Sequence, residues 1–128
     1  MFDSIKKSIE QAGFGRKGIM KRYIKTFSDN NLEEGEELLE VASPYDKPTK
    51  LLFVTDKKVC FYNMIKSGDE EDKKLSYKNI TSCEIVLDQE LADIHIYTDN
   101  HTITLPKAPE KTAEQVKTTI DKRIQEEL

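Results

Sequence analysis

Tryptophan is absent from these 128 residues, and cysteine, histidine, proline and glycine are scarce at two, two, four and five. Each shortage removes a class of protein. Two cysteines cannot make a disulfide scaffold, and Cys60 and Cys83 each sit inside an apolar run, where a buried thiol is expected although a single disulfide stays open. So little glycine and proline, beside 37% hydrophobic and 34% charged residues, excludes a low-complexity tail and describes one folded domain able to bury a core unaided. Long apolar runs are missing too. No window approaches the roughly 18 residues that cross a bilayer, and the opening MFDSIKKSIEQ is charged throughout, unlike a secretory signal. The expected location is the cytoplasm.

The chemistry of enzymes is missing as well. No GxSxG elbow occurs, and GFGRKG (13–18) has neither the phosphate-loop pattern nor a strand before it. Metal binding needs three or four converging ligands. The carboxylates of SGDEED (67–72) lack the spacing of a calcium loop and read as a solvated loop tip. No catalytic, cofactor-binding or metal-binding residue is assigned, no small-molecule substrate is evident, and the chain is expected not to be an enzyme.

What is present is strand pattern. In KLLFVTDKKVCFYN (50–63) an Asp56-Lys57 turn sets Val54 against Val59, Phe53 against Cys60, Leu52 against Phe61 and Leu51 against Tyr62. Both faces of that hairpin are apolar, so both must be covered. In ADIHIYTDNHTITLP a turn at Asp99-Asn100 pairs Thr98 with His101, Ile96 with Ile103 and Ile94 with Leu105. Its other face carries His95, Tyr97, Thr102 and Thr104, which puts the two histidines on opposite faces and excludes a shared metal. Strands are also expected at 36–45, 73–77 and 80–87, for seven in all. After Pro106 and Pro109 a helix places Ala113, Val116, Ile120, Ile124 and Leu128 in one stripe. Short N-terminal helices are expected around Ile5 and Ile9 and, beyond the Gly13–Gly15 break, over GIMKRYIKTF with Met20, Tyr23, Ile24 and Phe27 in a stripe.

Seven antiparallel strands and a terminal helix follow the order of the pleckstrin-homology (PH) fold. NLEEGEELLEVAS followed by KLLFVTDKKVCFYN resembles the opening of bacterial PH-like domains of the YokE-like type, with Gly35-Glu36 leading into the first strand and Thr55-Asp56-Lys57-Lys58 joining the second and third; YKNITSCEI resembles their fourth-to-fifth strand junction. The resemblance covers about residues 32–128. It implies a mainly β, seven-stranded antiparallel barrel of two near-orthogonal sheets capped by the C-terminal helix, with residues 1–31 as a basic helical segment packed on or extending the 32–128 domain. Lipid headgroup binding, known for some PH-like folds, is not carried over: Asp69, Glu70, Glu71 and Asp72 would crowd Lys47 and Lys50, and the basic motif of phosphoinositide binders is missing.

Charge is divided along the chain. Residues 1–27 hold seven basic side chains against Asp3 and Glu10, a net of +5, which leaves −9 for the rest. Lys17, Met20, Lys21, Tyr23, Ile24, Lys25 and Phe27 form the candidate contact surface, apolar on one sector and basic beside it. A protein partner or a second copy is the expected target. The alternative is peripheral membrane binding through an amphipathic helix at 16–27. Nucleic acid ranks below both because the pI is near 5.3 and the strands expose no aromatic platform.

Overall fold

A computed structural model describes residues 17–46, 50–63 and 73–127, without the side chains of 17–21 and 23. Helix α1 (Lys17–Asn31) is followed by strands β1 (Leu38–Ala42), β2 (Lys50–Thr55), β3 (Lys58–Asn63) and β4 (Lys73–Ser76). A 3-10 turn at Tyr77–Asn79 leads into β5 (Ile80–Asp88), β6 (Leu91–Thr98) and β7 (Thr102–Pro109), and helix α2 (Glu110–Glu127) closes the chain. The expected first helix near Ile5 and Ile9, the 67–72 loop and Leu128 lie outside the described residues.

Both hairpins take the register that their two-residue turns dictate. Val54 faces Val59, Phe53 faces Cys60, Leu52 faces Phe61 and Leu51 faces Tyr62. In the second, Ile96 faces Ile103, Ile94 faces Leu105, and the Thr98 N–H donates to the His101 carbonyl at 2.9 Å.

The strands do not close into the expected barrel. They form two separate antiparallel sheets, one of four strands in the order β1-β2-β3-β4 and one of three in the order β5-β6-β7. The reason lies at both junctions. The 3-10 turn redirects the chain after Ser76, so β4 pairs with β3 and β5 with β6. At the other junction β7 is distorted by Lys107, whose φ of 54° is left-handed. Prolines 106 and 109 carry no N–H for a ladder. One backbone hydrogen bond between neighbouring segments, from the Tyr45 N–H to the Lys107 carbonyl at 2.8 Å, bridges this side.

Two apolar cores explain the two greasy faces of the first hairpin. Leu52, Val54 and Val59 point into the main core with Ile94, Ile96 and Leu105 of the second sheet and Ala113, Val116 and Ile120 of α2. Leu51, Phe53 and Cys60 point the other way, into a smaller core with Leu38, Val41 and the α1 residues Ile24 and Phe27. The four-stranded sheet is thus sandwiched between layers, as its lack of alternation requires.

Candidate functional site

The residues that carried the family resemblance meet in one place. Gly35 adopts φ +81°, a conformation cheap only for glycine, and turns the chain so that Glu36 enters the interior. Its side chain is fully buried. One carboxylate oxygen accepts the Thr55 hydroxyl at 2.5 Å; the other accepts the Glu33 N–H at 3.0 Å and the Lys58 ammonium at 3.1 Å. Burial opposes the charge, but these donors prevail and hold the Glu36 carboxyl below its ordinary range. Lys58 also donates to the Asn31 carbonyl at 2.9 Å, tying the end of α1 to the hairpin turn. Asp56 completes the knot by accepting from the Glu37 N–H at 2.9 Å and donating its own N–H to the Glu37 carbonyl at 3.0 Å. Every polar group of this cluster serves a structural bond, so it anchors α1 and β1 on the hairpin and leaves no acid or base poised for chemistry.

Of the proposed contact residues, Ile24 and Phe27 have 0% exposure. Phe27 stacks on Phe53 with ring centroids 3.8 Å apart and meets Tyr62 edge-on at 5.9 Å. Lys25 is exposed and pairs with Asp29 at 2.8 Å. The side chains of Lys17, Met20, Lys21 and Tyr23 lie outside the description, while Arg22 is exposed. Among the described side chains, α1 therefore turns Ile24 and Phe27 inward and presents Arg22 and Lys25 outward.

The remaining chemical groups are dispersed. His95 bonds the Thr104 hydroxyl at 2.8 Å on the outer face of its sheet, whereas His101 sits at the hairpin turn. Among the described residues no three His, Cys, Asp or Glu side chains gather as a metal would need. Cys60 and Cys83 are buried and unbridged, and burial pushes the Cys83 thiol up to about 12. A thiol so held is a poor nucleophile. An open groove of about 430 Å³ between β1 and α2 is lined by Glu40, Glu114, Gln115 and Thr119, with the Thr119 hydroxyl already donating to Glu40 at 3.1 Å.

The buried structural roles of three residues were not evident from the sequence. Tyr77 donates its hydroxyl to the Thr55 carbonyl and is raised by burial; Lys117 donates to the Cys83 carbonyl at 2.8 Å; and Glu36 forms the buried pair. Only Glu36 had a visible signal, a charge beside a glycine and ahead of an apolar run.

A family model described as bacterial PH domain matches residues 23–122. The chain belongs to the bacterial PH domain family. A crystal structure of a DUF1696 family protein with a pleckstrin-homology domain, from Shewanella loihica PV-4, superposes with a TM-score of 0.51 at 17% identity, over 80% of this chain and 95% of that one. At that identity the likeness concerns the fold alone. No curated protein matches the sequence. This bacterial PH domain is a non-enzymatic domain, as its family membership indicates. Among the described residues no helix is long and apolar enough to cross a membrane.

Proposed function

We propose that this bacterial PH domain is an interaction module of the YokE-like type that docks on another protein through the outward, basic side of α1. The domain body begins near residue 32, with residues 1–31 a basic segment packed on it or extending it. The observation carrying this reading is the complete burial of Ile24 and Phe27. A helix lying in a lipid interface needs its apolar sector in the bilayer, and here that sector is spent on Phe53 and its neighbours. Cations remain outside, Arg22 and Lys25 among them, which favours an acidic protein face over lipid. Lys17, Lys21 and Lys25 recur every four residues along α1 and are the contact cations of this reading, while Ile24 and Phe27, which share a sequence stripe with Met20 and Tyr23, hold the helix in place.

The test compares tagged wild-type protein with Lys21→Glu/Lys25→Glu in capture from the source organism, and both in flotation with anionic vesicles. The expected result is a captured protein lost in the double variant, at unchanged melting temperature, and no flotation of either. Flotation of the wild type that the double variant abolishes assigns the arm to membranes and removes the proposal.

A further inference from the structure

Strand β5 is an edge of the three-stranded sheet, paired with β6 on one side and with no strand on the other. The hairpin it makes with β6 decides which of its backbone groups stand on that open edge. Gln89 and Glu90 form the turn, with Gln89 at φ 61°, and Asp88 faces Leu91 across it. A pair that closes a two-residue turn exchanges its hydrogen bonds, and bonded and non-bonded pairs alternate from there along an antiparallel ladder. Asp88, Val86 and Glu84 therefore turn their N–H and C=O toward β6, whereas Leu87, Ile85 and Cys83 turn theirs outward. The Cys83 carbonyl agrees with this phase, because it is taken by the Lys117 ammonium of α2 at 2.8 Å and not by β6. Beyond Lys117 the edge is open. Among the described residues, none donates to or accepts from the outward backbone groups of Ile85 and Leu87.

An open edge is a template on which an extended segment adds as a further strand, held by main-chain hydrogen bonds and selected by side chains on both faces. Each face of this edge carries one exposed apolar side chain: Leu87 on the face of Ile85, which packs against the main core, and Val86 on the opposite one, both at 53% exposure. Charge then selects the occupant. Glu84 and Asp88 are exposed on either side of Val86, and Glu90 is exposed in the turn. On the α2 side Lys117 is already paired with Asp121 at 2.7 Å, while Glu110 and Glu114 precede it on the same side of the helix at helical spacing. The same edge of a second copy would set these carboxylates against one another; a cationic strand would complement them.

We propose that the Glu84–Asp88 edge of β5 receives an extended, lysine- or arginine-bearing segment of a partner protein as an added antiparallel strand. Its backbone bonds to Ile85 and Leu87, its apolar side chains lie beside Leu87 and Val86, and its cations stand opposite Glu84 and Asp88. This edge is distinct from the basic side of α1 and takes a partner of the opposite charge. The test follows hydrogen exchange of single amides by NMR in the full chain, with mass measured by sedimentation. The probe is the synthetic peptide acetyl-Lys-Val-Thr-Val-Lys-amide, and its counterpart with glutamate for both lysines is the control. Without peptide, the protein should be monomeric and the amides of Ile85 and Leu87 should exchange much faster than those of Glu84 and Val86. The lysine peptide should slow Ile85 and Leu87 about fivefold at about four times its Kd, leaving the β2–β3 hairpin unchanged, and the control should not. Glu84→Lys/Asp88→Lys should reverse that preference. Leu87→Pro removes only an outward N–H, which an edge strand tolerates, and should abolish the slowing while Glu84 and Val86 stay protected. A lysine peptide that leaves both amides unchanged, or acts no more strongly than the control, overturns the proposal. So does protection of Ile85 and Leu87 without peptide: in a monomer the chain itself covers the edge, and with doubled mass a second copy does.

Discussion

Glu36 offers the most direct test at the scale of one residue, because its carboxylate has no solvent to fall back on. Its carboxyl holds a proton less tightly folded than unfolded, so the chain takes up a proton on unfolding in acid. The stabilisation is therefore complete above the ordinary glutamate value near 4.3 and is lost as pH falls through it toward the lower native value. Urea midpoints should drop more between pH 7 and pH 3 in the wild type than in Glu36→Gln. At pH 7 that variant should lose about 1 to 3 kcal/mol, since a neutral amide replaces the charge facing the Lys58 ammonium and one acceptor oxygen becomes an N–H donor. An equal pH response in both proteins would show that the pair contributes nothing. Two neighbours on α1 should respond with opposite sign. Phe27→Ala leaves a hole against Phe53 and should cost roughly 3 to 5 kcal/mol. Ser28 has a buried hydroxyl without a hydrogen-bond partner among the described residues, so Ser28→Ala should be neutral or stabilising by up to about 1 kcal/mol.

At the scale of elements, the two cysteines report on different layers. Cys60 lies beneath α1 in the smaller core, whereas Cys83 lies in the main core with its carbonyl held by Lys117 of α2. A helix laid over one face of a sheet opens more readily than a core shared by two sheets and a helix. Native-state labelling should modify Cys60 faster than Cys83, with both far slower than an unfolded thiol, and Phe27→Ala should accelerate Cys60 alone. Equal rates would mean that α1 and the main core open together. Elements themselves were legible because local rules write them. Asp56-Lys57 and Asp99-Asn100 fix two registers through turn geometry, and Val116 and Ile120 mark the buried stripe of α2. The knot around Glu36 was less so: Gly35-Glu36 and Thr55–Lys58 were read as separate turns, and their union depends on contacts 19 to 22 residues apart in sequence.

At the scale of the molecule, sheet closure was the part that sequence pattern could not supply. Alternation tells a strand which face to bury but not what its edge will meet, and here the edges were decided by the turn at Tyr77–Asn79 and by the left-handed Lys107. Two open sheets then depend on whatever spans them. That element is α2, which packs on β1 and β2 of one sheet and on β5, β6 and β7 of the other. Ala113, Val116 and Ile120 are all at 0% exposure in the shared core. Loss of a single buried Ile to Ala typically costs roughly 2 to 5 kcal/mol, and a domain of this size has about 5 to 15 in total. Ending the chain at Pro109 removes all three and bares the seam between the sheets, so the truncated protein should show no cooperative thermal transition and should bind a hydrophobic dye. Ile120→Ala should still fold, with a lowered midpoint. A truncated chain that melts cooperatively at the wild-type temperature would mean that the sheets hold each other directly and that α2 is an accessory layer.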